Sequence, residues 1–272
     1  MEKGQSRLKG KVAIITGAGS SGPGIGTGKA ISTLFARQGA SVLLVDRVAK
    51  HAEETLAAIR DEGGEASVCE ADITEAESCQ TMVETAVERY GGLHILVNNV
   101  GIVTKGTVVD VKEEDWDRVL DVNLKGMMLC SKYAIPEMTS SGGGSIVNIS
   151  SIDALRSGGI AAIIPYSASK GGVISMTTAM AVHHGRDHVR VNCIAPGYLY
   201  TPMVAPLLTE ETRALRRRAA PLGTEGTAWD VAWAAVFLAS DEARWITGVV
   251  LPVDAGLLAT TPLSMLPYLS ET

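Results

Sequence analysis

The run Val12-Ala13-Ile14-Ile15 is short, apolar and largely β-branched. It ends in Thr16-Gly17 and continues into the glycine-rich stretch Ala18-Gly19-Ser20-Ser21-Gly22-Pro23-Gly24-Ile25-Gly26. Such a run reads as a buried strand. A helical pattern follows from about residue 24 to 38, with Ile31, Leu34 and Phe35 on one side. Strand, glycine turn and helix in that order suit a phosphate. Glycines let the backbone approach a pyrophosphate, and the free N–H groups of the helix start face the anion. A second apolar run, Val42-Leu43-Leu44-Val45, closes on Asp46. Its distance from Gly26 is where a dinucleotide-binding unit places the acid for the adenosine ribose hydroxyls. Gly17, Gly24, Ile25, Gly26 and Asp46 are therefore the first candidate cofactor contacts.

The alternation continues. Helices are expected over 49–61, 75–90, 112–138 and 166–184, and strands over 66–72, 95–98, 145–150 and 189–194, with an edge strand over 249–253. Repeated strand–helix units give a parallel sheet covered on both faces, and right-handed crossovers leave few topologies open. With no linker or internal repeat, the expectation is one α/β domain, a Rossmann-like doubly wound parallel sheet of about seven strands.

Tyr166 and Lys170 stand four residues apart in an expected helix, which puts them on one face. A phenol titrates near ~10, and an ammonium beside it favours the phenolate. Tyr166 could then trade a proton with a substrate hydroxyl or carbonyl. The same pair also occurs on solvated helix faces.

The formal charge of -6 argues against nucleic acid or an anionic membrane as partner. Arg216-Arg217-Arg218, the only basic run, reads as a solvated helix face. Cys69, Cys79, Cys130 and Cys193 lie far apart without a CxxC spacing, as expected of reduced thiols with no metal site. The polar start and the lack of an apolar run of roughly 18 residues predict a cytoplasmic protein that does not enter a membrane.

The ordered series Thr16-Gly17, Gly24-Ile25-Gly26, Asp72, Asn98-Asn99-Val100-Gly101, Asn123, Ser150-Ser151, Tyr166 with Lys170, Pro196-Gly197 and Thr201 resembles the short-chain dehydrogenase/reductase family over nearly the whole chain. The resemblance implies that Ser151 holds the reacting oxygen against Tyr166, the acid/base. It implies that Lys170 lowers the Tyr166 pKa and holds the nicotinamide ribose, and that Asn123 holds a water leading from Lys170 to solvent. It implies further dinucleotide contacts at Asp72, Ile73, Asn99, Val100, Gly101, Pro196, Gly197, Thr201 and Met203. The implied reaction is hydride transfer between a nicotinamide and a secondary alcohol or ketone. Asp46 favours NAD over NADP by repelling a 2′-phosphate, although Arg47 could pair with one.

Two departures from the family pattern stand out. Five residues separate Ala18 from Gly24 where two are usual, and they include Pro23, so Gly19 and Gly22 are weaker candidates than Gly24 and Gly26. The Ser151–Tyr166 interval is about two residues longer than usual. Asp153 holds the usual spacing, but Ser151 ends the strand and is the serine chosen. Leu155, Ile160, Ile163, Ile164, Met203, Val204, Leu207 and Leu208 suggest an apolar pocket for a hydrophobic or cyclic alcohol or ketone. The tail, 257–272, is expected to pack over a neighbouring subunit of a homotetramer or homodimer. Other readings within the fold are a dehydratase or epimerase that retains its nicotinamide, and a non-catalytic cofactor-sensing protein. An enoyl reductase is disfavoured, since that branch usually spaces the tyrosine and lysine more widely.

Overall fold

In the computed structural model, residues 6–20, 22–157, 159 and 161–269 are described. The apolar runs form parallel strands β1 (Val12–Thr16), β2 (Ser41–Asp46), β3 (Ala66–Glu70), β4 (Ile95–Asn98), β5 (Gly144–Ile149), β6 (Val189–Pro196) and β7 (Val250–Val253). They make a 7-stranded sheet ordered β3-β2-β1-β4-β5-β6-β7. The direction of winding reverses between β1 and β4, which pair as Ala13↔Ile95, Ile14↔Leu96 and Ile15↔Val97. β7 is the edge strand, as its sequence predicts.

The helices are α1 (Thr27–Arg37), α2 (Ala49–Asp61), α3 (Ala76–Tyr90), α4 (Glu113–Leu120), α5 (Gly126–Ser140), α6 (Ile164–His184), α7 (Glu210–Ala219), α8 (Ala228–Ala239) and α9 (Pro262–Leu269). Successive strand side chains point to opposite faces. Ala13, Ile15, Val42 and Leu44 pack with α1, α2 and α8, whereas Val12, Ile14, Leu43 and Val45 pack with α3 and α5. Helices on both faces leave no polar side, so these strands read as unbroken apolar runs rather than alternating ones.

Two expectations need correction. Helix α1 starts at Thr27 rather than near Gly24. Gly24 has φ +111, outside the range of a right-handed helix, and the loop ends only at Gly26. The single helix expected over 112–138 is two helices joined by a π-helical turn, Asp121–Lys125. That turn widens the helix at Asn123 and sends its side chain inward. Within the described residues of the tail, α9 packs on α7 with Met265 buried, while Leu263, Leu266 and Tyr268 stay exposed. Arg156 Nη1 secures the preceding turn by donating to the carbonyls of Leu257 and Thr260.

Candidate active site

A cleft of about 1070 Å³ opens at the C-terminal ends of the strands, over the β1/β4 reversal. There the carboxyl ends of parallel strands splay apart and leave room for a ligand. The far end of the cleft is held by groups that brace the glycine loop. Asp46, closing β2, accepts the Gly19 N–H at 3.1 Å on Oδ2 and the Val48 N–H at 3.1 Å on Oδ1. His51 Nδ1 stands 3.8 Å from Asp46 Oδ1. Asn99, just past β4, donates through Nδ2 to the carbonyls of Thr16 at 3.1 Å and Gly17 at 3.2 Å. Its Oδ1 accepts the Thr27 hydroxyl at 2.7 Å, which ties the loop to the start of α1. A Cβ on Gly28 would lie 1.8 Å from the Gly17 carbonyl oxygen, so only glycine lets α1 close on the loop. Burial would raise the Asp72 carboxyl, but the Thr74 N–H and hydroxyl, with Arg47 nearby, hold it below its ordinary value.

Of the expected dinucleotide contacts, Gly17, Gly26, Asp46, Arg47, Asp72 and Ile73 line the cleft. So do Asn99, Val100, Gly101, Pro196, Gly197, Thr201 and Met203. Gly24 and Ile25 do not: Gly24 sits against Pro202 on the outer limb of the loop, and Ile25 is 39% exposed. Gly19, rated below Gly24 by spacing, lines the cleft instead. Its contact with Asp46 crosses from β1 to β2, a pairing that loop length alone does not reveal. Ser20, Thr27, Gly28 and His51 also line the cleft without having been singled out as contacts. The glycine-rich loop hints at Ser20, Thr27 and Gly28, whereas nothing local marks His51 on α2.

At the other end stand Ser151, Tyr166 and Lys170, all lining the cleft. Ser151 follows β5, and its Oγ accepts the Asp153 N–H at 3.1 Å and lies 3.2 Å from Asp153 Oδ2. Burial pushes the Tyr166 phenol up to about 12; a hydrogen bond with Ser151 opposes the shift and the Asp153 carboxylate adds to it. Lys170 is 2% exposed and donates to the Ile149 carbonyl at 2.8 Å. Burial brings its ammonium down to about 8.

The four-residue spacing does place the two side chains together, with Lys170 Nζ 5.7 Å from the Tyr166 ring centroid. The expected acidification of Tyr166 by Lys170 is not what the chain alone achieves. Desolvation penalises both charged forms and is the largest influence on each. Asn123 is fully buried and does not line the cleft. Its amide clamps Ile102, accepting the N–H at 2.8 Å and donating to the carbonyl at 2.9 Å, and it donates to Ser169 Oγ at 3.0 Å.

Between these ends the wall is largely apolar: Ile163, Met203, Val204, Leu207 and Leu208 line it, with Leu269 of α9. Leu155 and Ile164, expected there, do not, and Ile160 lies outside the described residues. The basic run on α7 is not uniformly solvated. Arg216 turns into the cleft and stacks over the Tyr198 ring at 4.6 Å from the centroid.

A family model described as enoyl-(acyl carrier protein) reductase matches residues 22–258. A 3-oxoacyl-(acyl-carrier-protein) reductase of Thermotoga maritima is 38% identical, covering 93% of this chain and 99% of its own length. Cis-4-hydroxycyclohexanecarboxylate dehydrogenase of Sinomonas cyclohexanicum is 38% identical, covering 92% of this chain and 97% of its own. A solved structure from Burkholderia xenovorans, assigned to the short-chain dehydrogenases/reductases, superimposes with a TM-score of 0.89 at 43% identity, covering 94% of this chain and 99% of that one.

Proposed function

The chain belongs to the short-chain dehydrogenase/reductase family, and on that premise we propose that it interconverts a cyclic secondary alcohol and its ketone, with NAD as the preferred dinucleotide. The observation that carries the reading is the gathering of Ser151, Tyr166 and Lys170 at one end of a cleft whose other end is Asp46.

The residues present fit a dinucleotide. Asp46 offers a carboxylate beside a braced glycine loop, and Gly28 leaves the α1 N-terminus close to that loop. Asp46 and Asp72 suit ribose hydroxyls and the adenine side, and neither welcomes a 2′-phosphate. Arg47 is the exception, and it already faces Asp72. Gly17, Gly26, Asn99, Val100 and Gly101 shape the path of the pyrophosphate, and Ile73 its adenine wall. Pro196, Gly197, Thr201 and Met203 form the wall at the nicotinamide end.

Bound in its oxidised form, the nicotinamide accepts the hydride and brings a positive charge to the site. Everything else belongs to the chain. Ser151 holds the substrate oxygen against Tyr166. In ketone reduction the Tyr166 hydroxyl gives its proton to that oxygen; in alcohol oxidation the phenolate takes it back. A phenol near 12 is a ready donor and a reluctant base. Oxidation therefore depends on positive charge beside it, from Lys170 and the nicotinamide. Lys170 also holds the ribose hydroxyls. Asn123 positions Ile102 and α6 so that a water beside Lys170 can carry the proton on to solvent.

The apolar wall suits a ring, and the relative that acts on a hydroxycyclohexanecarboxylate supports a cyclic alcohol. Carbonyl reduction of an acyl-carrier thioester uses the same three groups, and the reductase from Thermotoga maritima favours it as a second reading. We also propose a homodimer or homotetramer that buries the free edge of β7, whose unpaired backbone groups want a partner. Light scattering at micromolar concentration should then find a mass above the 28.5 kDa chain.

The test is absorbance at 340 nm over a panel of cyclic alcohols, with a 3-oxoacyl thioester as competitor. Turnover of the alcohols with NAD supports the reading. Turnover of the thioester alone would replace it.

A further inference from the structure

Helix α7 carries Arg213, Arg216, Arg217 and Arg218 on its last two turns. Arg213 donates through Nε to Glu225 at 3.0 Å and through Nη1 to Glu210 at 3.0 Å. Arg217 donates to the other oxygen of Glu210 at 2.8 Å. Arg216 differs. Among the described residues no carboxylate stands within 4.0 Å of it, and its one hydrogen bond is a long 3.5 Å contact from Nη2 to the Leu199 carbonyl. It is nevertheless half-buried, lines the cleft, and holds its guanidinium carbon over the Tyr198 ring, 4.6 Å from the centroid.

Stacking fixes the plane of a guanidinium while leaving its N–H edge free, and that edge is a planar fork matched to two carboxylate oxygens. Donors of a half-buried guanidinium that a ligand covers are removed from water, so that ligand must accept from them. The neighbouring charges set which ligand. Asp153 lies close enough to act on both Arg216 and Tyr166, and Glu225, also within reach, is already engaged by Arg213. Lys105, exposed on the loop after β4, adds a positive charge to the cleft. Asp153 would repel a dianion such as phosphate more strongly than a monoanion. Met203, Val204 and Leu207 meanwhile give an apolar body a surface to pack on.

We propose that Arg216 is a specificity-determining residue that binds a carboxylate borne by the substrate, while the hydroxyl of the same molecule meets Ser151 and Tyr166. The inference rests on the alcohol–ketone reading of the cleft and narrows its substrate to a hydroxy acid with an apolar frame. Burial lowers the guanidinium from its ordinary value, in keeping with a cation held for a partner that replaces water.

The test is calorimetric titration of cyclohexanecarboxylate and of cyclohexanecarboxamide into the full chain saturated with NAD. The carboxylate should bind about 30-fold tighter than the amide. Arg216→Gln should remove that difference, Arg216→Lys should keep part of it, and Arg217→Gln should leave it unchanged. A preference that survives Arg216→Gln would overturn the proposal, as would equal weakening of both ligands or no measurable carboxylate binding by the parent. The alcohol panel reports separately on the reaction. Turnover of neutral cyclic alcohols with no Arg216-dependent binding sinks this inference and spares the function. Arg216-dependent binding with no turnover of any alcohol does the reverse.

Discussion

At one end of the cleft, Asp46, Asn99 and the backbone of Gly17, Gly19 and Val48 hold one another at strand ends. At the other, Asp153, Tyr198, Arg216 and Leu269 reach the cleft from four segments far apart in the chain. The first end is built mainly of backbone groups and short side chains around β1, β2 and β4, whose residues are almost wholly buried. The second is built of long side chains on α7, α9 and the 152–165 segment, elements that cover the sheet rather than belong to it. In the proposed function the dinucleotide is the same molecule whatever the substrate, so a rigid, sheet-borne cradle would serve it. Discrimination among alcohols needs parts that can differ without disturbing that cradle.

The sharpest way to break this comparison is at the junction of the two ends. Tyr166→Phe removes the proton donor and leaves the cradle untouched, so kcat should fall by about 10³-fold with dinucleotide affinity unchanged. A parent-like rate would refute the acid/base role. At the sheet-borne end, Gly28→Val forces a side chain into the Gly17 carbonyl. It should cost about 3 kcal/mol of stability or more in urea denaturation, and it should abolish dinucleotide binding.

Lys170 sharpens the contrast, because burying it costs stability at the end proposed to carry the chemistry. Its folded pKa, about 8, lies below the unfolded value of 10.5, so the unfolded chain binds the extra proton between those values. Burying the ammonium therefore destabilises the fold below pH 8, and the penalty fades as pH rises through 8 toward 10.5. Lys170→Met loses the bond to Ile149 but escapes that penalty. It should be more stable than the parent by about 2 kcal/mol at pH 7, should lose most activity, and should show a smaller stability gain at pH 10. A variant less stable at pH 7 would count against this account.

The smallest effect is expected at Asp46. Replacing it with serine keeps a hydroxyl for the ribose and removes the repulsion. The ratio of kcat/KM for NAD over NADP, proposed to be at least tenfold in the parent, should fall by about tenfold. Comparable efficiency with both dinucleotides in the parent would remove the basis of the preference.

Much of this molecule is written in short-range pattern. The strand runs, the Thr16-Gly17 turn, Asp46 closing its strand and Tyr166 four residues before Lys170 are legible because burial on both faces and helical period act over a few neighbouring residues. A doubly wound parallel sheet of about seven strands followed from the same alternation, whereas the order of those strands came only from the fold. Local pattern could not say that Gly19 rather than Gly24 faces the cleft, nor that a π turn aims Asn123 inward. It could not show that α9 folds back on α7, nor that Arg216 turns into the cleft. Those outcomes depend on distances between segments remote in the chain. The protonation of Tyr166 and Lys170 depends on them too, since desolvation by the elements packed around the pair is the largest influence on each.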